Sequence, residues 1–194
     1  MRNGLVLDFD GVLTDGHVYV NDQGTETVCC FRPDSMGIKL LKKLNFKIVV
    51  ISTEKSTVID KRCEKMGIDF YKMKTTHPDE KLETMLKWIT DNNLKPENVV
   101  YIGDDLNDLS CMLSPGIFPV APANAYDVVQ EIAWYVTKKS GGNGAVRELC
   151  NLLVSGKIDV LDELKLTNDL KSAINSTNTI DLLEFWDCMG YKYK

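Results

Sequence analysis

The chain has 194 residues, 44% of them hydrophobic and 26% charged, with a formal net charge of −5. This is enough for one substantial core with an appendage, in an ordinary globular composition. The acidic balance excludes nucleic acid as the main partner, which would need clustered Lys and Arg, and no run approaches the ~18 apolar residues of a membrane span.

The chain opens with the apolar run Leu5-Val6-Leu7, which reads as a buried strand and stops at Asp8-Phe9-Asp10-Gly11-Val12-Leu13-Thr14-Asp15-Gly16. Too few apolar residues precede Asp8 for a secretory leader. In open parallel α/β sheets, ligands bind beyond the carboxyl ends of the strands, where Asp8 and Asp10 would stand. One carboxylate there can attack phosphorus, and another two residues on can protonate the leaving oxygen and later activate water. Gly11 would let the backbone approach a phosphoryl oxygen. An acidic turn that only satisfies backbone geometry is the alternative.

His17 to Val20 and Thr25 to Phe31, separated by Asn21-Asp22-Gln23-Gly24, predict a β-hairpin. A lone hairpin is marginal in water, so it either packs locally or pairs with copies of itself. Helical spacing predicts a helix over Met36 to Leu44 with Asp34 or Ser35 as cap. Lys47 to Ile51 is a second strand, followed by Ser52, which can bond a phosphate oxygen or cap the next helix. That helix covers Lys55 to Met66 and ends at Gly67, and Ile68 to Tyr71 is a third strand. His77, in a polar loop beside proline, reads as solvated. Leu82, Met85, Leu86 and Ile89 mark an amphipathic helix with Lys81 at its start, against the helix dipole, which points to another task or to a solvated surface lysine.

Asn98 to Ile102 is a fourth strand and ends in Gly103-Asp104-Asp105-Leu106-Asn107-Asp108. Three carboxylates at one strand end repel one another without a cation, and hard oxygen ligands suit Mg²⁺. A fifth strand over Ile117 to Val120, a helix over Asn124 to Ala133 and a short strand over Trp134 to Thr137 follow. The loop Lys138 to Gly144 brings two lysines near an anion or serves only as a turn. A closing helix is marked by Val146, Leu149, Cys150 and Leu153, and weaker periodicity from about Gly156 suggests short helices in an appendage. Two parts are therefore expected, 1–155 and 156–194. The six cysteines (Cys29, Cys30, Cys63, Cys111, Cys150, Cys188) form no Cys-x-x-Cys pair, which predicts reduced thiols in a cytoplasmic protein and no zinc site.

The βα alternation gives a doubly wound, Rossmann-like α/β domain with a parallel sheet and a hairpin after the first strand. Asp8, Asp10, Ser52, Lys81 and the Asp104 cluster would converge on one crevice. In this order they resemble the four motifs of the haloacid dehalogenase superfamily of phosphohydrolases. The resemblance implies Asp8 as nucleophile, Asp10 as general acid and base, and Ser52 and Lys81 as holders of the phosphoryl group. It also implies Mg²⁺ held by Asp8, the carbonyl of Asp10 and Asp104, with Asp105 and Asp108 orienting metal waters and Lys81.

The hairpin, the segment Asp34 to Ile38 and the run Gly141 to Cys150 are similar to the small capless branch that hydrolyses 2-keto-3-deoxy sugar-acid phosphates. This implies a small-molecule sugar phosphate as partner and a homotetramer in which neighbouring subunits cover the site. Within the branch, Glu54-Lys55 after the second motif, with Arg62 and Lys65, resemble the enzymes for nine-carbon, sialic-acid-type nonulosonate 9-phosphates; this implies Thr53, Glu54, Arg62 and Lys65 as substrate-binding residues, with Thr53 standing where the branch usually has glycine. The eight-carbon 3-deoxy-octulosonate 8-phosphate is the alternative. An alternative of another class is a non-catalytic oligomerisation module of the kind fused to acylneuraminate cytidylyltransferases, which would be expected to have lost the nucleophile.

Overall fold

The computed structural model describes residues 2–75 and 77–159, and the appendage expected over 156–194 lies outside them apart from 156–159. In chain order the elements are β1 (Gly4–Leu7), β2 (Thr14–Val20), β3 (Glu26–Cys30), α1 (Arg32–Lys43), β4 (Lys47–Ser52), α2 (Thr57–Met66) and β5 (Asp69–Lys72). There follow α3 (Pro78–Asp91), β6 (Val99–Ile102), α4 (Leu109–Met112), β7 (Phe118–Ala121), α5 (Asp127–Ile132), β8 (Tyr135–Val136) and α6 (Ala145–Val154). Six strands form one sheet in the order β5-β4-β1-β6-β7-β8, and every pairing in it is parallel.

Strands buried on both faces need apolar residues at every position, and β1, β6 and β7 are fully buried. Leu5, Leu7, Ile48, Val50, Val100 and Ile102 face one layer, where Ile38 and Leu41 of α1, Ile59 and Cys63 of α2, and Val146, Leu149 and Cys150 of α6 complete the core. Alternation turns Val6, Val49, Ile51 and Tyr101 to the other face, against which α3 packs on β4, α4 on β6 and α5 on β7. The sheet is thus wound on both sides. Packing continues beyond 155, since Ile158 is buried in the same core and Asp159 pairs with Arg2.

The site is positioned by the place of β1. Leu7 is level with Val50 of β4 on one side and Ile102 of β6 on the other, so β1 and β6 end together while β4 continues to Ser52. The chain runs outward from β1 to β4 and β5, then returns to β6 on the opposite side, which makes the β1–β6 boundary the switch point where a crevice opens. Asp8 continues the ladder there, its N–H donating to the Ile102 carbonyl at 3.0 Å. The β2–β3 hairpin stands off as a separate antiparallel pair, and its turn uses Gly24 at φ +77° as expected. No cap domain is present among the described residues, and no helix among them is long and apolar enough to cross a membrane.

Several boundaries differ from expectation for identifiable reasons. α1 begins at Arg32 rather than Met36 because Pro33 sits comfortably in a first turn, where its missing N–H is not needed. Asp34 does not cap its own helix. It is buried, and its Oδ1 accepts the N–H of Arg147 at 2.8 Å, capping α6, whose own N-cap, Gly144, has no side chain. The two helices can approach this closely because a Cβ on Gly37 would lie 2.8 Å from the Cβ of Cys150. α5 is shorter than the Asn124 to Ala133 expected, since the Asn124 side chain is engaged outside it.

Candidate active site

Asp8, Asp10, Ser52, Thr53, Glu54, Asp104 and Asp105 all line one cavity of about 440 Å³ at the carboxyl ends of the strands. Lys81 and Asp108 lie beneath it, each fully buried. Lys81 Nζ sits 2.9 Å from Asp8 Oδ1 and 2.5 Å from Asp108 Oδ1. This is the task that sets a lysine against the dipole of α3. Burial alone would pull its pKa down, but Asp108 and Asp8 more than offset that and hold it above the usual lysine range.

Asp108 is saturated. Its Oδ1 also accepts the Tyr101 hydroxyl at 2.6 Å, and its Oδ2 accepts the N–H of Asp104 at 2.9 Å and of Asp105 at 3.3 Å. Carboxylate oxygens of Asp8, Asp104 and Asp108 lie within 4.8 Å of one another, but only Asp8 and Asp104 keep lone pairs free for a cation. The Asp104 carboxylate fills the space in front of Gly11, where a Cβ would fall 1.8 Å from its Oδ2. Burial, opposed by Lys81 and reinforced by Asp108, pushes Asp8 up to about 7. Burial and then the charges of Asp8, Asp108 and Asp105 push Asp104 up to about 8. A hard dication between such oxygens removes the repulsion, and the donor set fits one.

Asp10 stands on the cavity wall, its Oδ1 accepting the Thr14 hydroxyl at 3.1 Å. The same Thr14 oxygen accepts the N–H groups of Gly11 and Gly16, each at 3.2 Å, so one buried hydroxyl fixes the whole turn. Burial raises the pKa of Asp10 from the ordinary carboxylate value, which favours holding a proton. Ser52 does not cap α2. Ser56 does that, accepting the N–H of Val58 at 3.2 Å, while Ser52 Oγ accepts the N–H of Glu54 at 3.1 Å and keeps its own hydrogen for a ligand.

The residues expected to contact substrate are not all brought to this cavity. Thr53 accepts from Asn107 at 3.3 Å, and the Glu54 carboxylate turns back to accept the N–H groups of Lys55 and Ser56. Arg62 and Lys65 are off the wall in the single chain. Arg62 donates to the Phe31 carbonyl at 3.2 Å, and Lys65 is exposed on α2. The glycine-rich loop after β8 buttresses the site. Asn124 joins the Gly11 carbonyl to the N–H of Gly141, and a Cβ on Gly141 would lie 1.8 Å from that carbonyl oxygen. Lys138 and Lys139 are exposed and do not line the cavity. His77 caps α3, its Nδ1 accepting the N–H of Asp79. Tyr101, Thr14, Asn124 and Tyr126 were not legible as site residues. Only Tyr101 gave a signal, because a hydroxyl inside a fully apolar strand needs a partner.

Comparison with known proteins agrees with this geometry. The family model for haloacid dehalogenase-like hydrolases matches residues 19–121. The 3-deoxy-D-manno-octulosonate 8-phosphate phosphatase KdsC of Escherichia coli K12 is 35% identical over 157 residues, covering 80% of this chain and 81% of that protein. The crystal structure of the 3-deoxy-D-manno-octulosonate 8-phosphate phosphatase of Moraxella catarrhalis with magnesium, phosphate and KDO superposes with a TM-score of 0.74 at 29% identity, covering 86% of this chain and 92% of that one. The cobalt-bound deoxy-D-mannose-octulosonate 8-phosphate phosphatase of Haemophilus influenzae gives 0.71 at 26% identity, covering 79% and 88%. The chain therefore belongs to the haloacid dehalogenase-like hydrolases, as a capless phosphatase of that family.

Proposed function

We propose that the chain is a Mg²⁺-dependent phosphomonoester hydrolase that removes the terminal phosphate of a 2-keto-3-deoxy sugar acid, 3-deoxy-D-manno-octulosonate 8-phosphate, through an aspartyl-phosphate on Asp8. The observation that carries the mechanism is a buried ammonium, Lys81, held between Asp8 and the saturated Asp108 at the floor of a polar cavity. The substrate is supported by the names of the relatives.

Asp8 attacks phosphorus while Lys81 offsets the charge of the incoming phosphate. The Ser52 hydroxyl donates to a phosphoryl oxygen and fixes the line of attack. Asp10 gives its proton to the departing sugar oxygen, then takes one from the water that opens the aspartyl-phosphate. Mg²⁺, held by Asp8, the Asp10 carbonyl and Asp104, supplies the positive charge that an anionic nucleophile and a phosphate dianion need in order to meet. Asp105 and Asp108 hold its surroundings. A homotetramer is what the resemblance to the capless branch implies, and the exposed Val18, Tyr19 and Val20 of β2 offer apolar surface for a neighbouring copy.

A nonulosonate 9-phosphate is the second reading, favoured by one observation: Glu54 lines the cavity with Asp10, and both backbone N–H groups that hold its carboxylate donate to Oε1, which leaves Oε2 to accept from the additional hydroxyl of a longer chain. The experiment is a side-by-side kcat/KM comparison of the 8-phosphate and the 9-phosphate, with Glu54→Arg alongside the wild type. The eight-carbon ester is expected to be the better substrate. A tenfold preference for the nine-carbon ester would overturn the substrate assignment while leaving the hydrolase reaction standing.

A further inference from the structure

Beside the cavity that holds Asp8 lies a second one of about 610 Å³, open to solvent and bounded by Leu106, Ala125 and Val128. The two share three residues: Asp105, Asn124 and Tyr126. The Asn124 side chain is consumed by the Gly11 carbonyl and the Gly141 N–H. The Tyr126 ring is not consumed. At 64% exposure it is a large aromatic surface standing in water on the border between the two spaces.

Its backbone, by contrast, is firmly placed. The Tyr126 N–H donates to the carbonyl of Asp104 at 3.0 Å, and its carbonyl accepts the N–H groups of Val129 at 2.9 Å and Gln130 at 3.0 Å as α5 begins. One peptide hydrogen bond therefore fixes the Cα from which the ring projects relative to Asp104. An aromatic side chain this exposed adds little to the core, and with few rotatable bonds it meets a ligand at a low cost in side-chain freedom. The walls also divide by chemistry. The first cavity has the Ser52 hydroxyl and the Asp8, Asp10 and Asp104 carboxylates above Lys81, whose charge draws a phosphoryl group, while the second adds Leu106, Ala125, Val128 and a ring face beside the acidic Asp105 and Asp127.

Resting on the hydrolase reading above, we infer that Tyr126 is a specificity-determining residue. Its ring is the platform on which the carbon skeleton of the sugar acid lies, in the second cavity, while the phosphate occupies the first. The negative face of an aromatic ring attracts the positively polarised C–H bonds of a sugar skeleton, and the hydroxyls that point away from the ring stay in water.

The test compares wild type, Tyr126→Ala and Tyr126→Phe on 3-deoxy-D-manno-octulosonate 8-phosphate and on acetyl phosphate, which has no sugar skeleton. For Tyr126→Ala the KM for the sugar ester should rise about tenfold with kcat changed less than about twofold, as for loss of uniform binding. The ratio of kcat/KM between sugar ester and acetyl phosphate should fall by the same factor. Tyr126→Phe keeps the platform and should restore both values to within about twofold of wild type. An unchanged sugar-ester KM in Tyr126→Ala, or an equal loss on both substrates, overturns the platform alone. Wild-type activity on acetyl phosphate with none on the sugar ester overturns the substrate reading, and the platform with it.

Discussion

Replacing Lys81 with methionine removes the ammonium but preserves most of the buried alkyl volume. Two carboxylates, Asp8 and Asp108, are then left in its place without a counter-ion, 2.9 and 2.5 Å from where the charge was. The gross attraction lost at 2.9 Å is about 6 kcal/mol with an effective dielectric of about 20. Breaking a buried pair by removing one partner has a net effect of about 3–5 kcal/mol. Relief of a lysine at the start of a helix gives back at most about 1 kcal/mol. For a chain of this size the net loss of about 2–5 kcal/mol corresponds to a Tm lower by about 4–20 °C at pH 7. It should shrink as pH falls, because the unpaired carboxylates then take up protons. Asp8 is pushed up to about 7 with Lys81 in place and higher without it, so the comparison belongs at alkaline pH, where Asp8 ionises; there, adding Asp8→Asn to Lys81→Met removes one of the two unpaired charges, and the double variant should be more stable than Lys81→Met alone by about 1–3 kcal/mol. Calorimetry on wild type, both single variants and the double variant in EDTA measures the coupling. A Lys81→Met protein as stable as wild type, or a double variant no more stable than that single one, would refute the electrostatic reasoning.

Other outcomes follow from the same geometry. Asp8 and Asp104 are pushed up to about 7 and about 8 by burial first and then by neighbouring carboxylates, so the metal-free fold loses stability as pH rises through those values. Mg²⁺ favours the ionised forms, and the rise in Tm that it produces should be larger at pH 8 than at pH 5.5; a rise independent of pH would contradict this. Gly11→Ala places a Cβ 1.8 Å from Asp104 Oδ2 on a backbone at φ +69°. Its half-saturating Mg²⁺ concentration in a phosphate-release assay should rise, and an unchanged metal dependence would show that Asp104 is not held there. Burial pushes Asp34 up to about 6 against the opposing pull of the Arg147 N–H, Arg62 and Arg147. Its contribution is therefore fully present below the unfolded value of 3.8 and lost as pH rises through about 6. Asp34→Asn should flatten the slope of Tm against pH in that window, and Asp34→Ala, which deletes the cap on α6, should lower stability by about 1 kcal/mol as well.

What the sequence made legible was local. Apolar runs ending in carboxylates mark the exits of β1 and β6, and the dipole argument singled out Lys81 before any contact was known. What it concealed was supplied by other parts of the chain. Asp34 looks like a cap for its own helix, yet it caps α6, 113 residues further on. Ser52 reads as a phosphate contact or a cap for the next helix, and the choice is made by Ser56, which takes the cap of α2 and leaves the Ser52 hydroxyl for the cavity. Arg62 and Lys65 were grouped with Glu54 by resemblance to the nine-carbon enzymes, but within one chain Arg62 donates to the Phe31 carbonyl and Lys65 stays exposed on α2. Tyr126 and Asn124 lie far from the motifs in sequence and reach the site only because β7 lies beside β6.

The central claim is that Asp8 carries the phosphoryl group between the two halves of the reaction. Acid quench within the first turnover, with the ester labelled at phosphorus and Mg²⁺ present, followed by peptide mapping, tests it directly. The account predicts label on the peptide containing Asp8 in the wild type, and no label in Asp8→Asn with turnover reduced by about three orders of magnitude or more. Label on another residue, or near-normal turnover by Asp8→Asn, would contradict it.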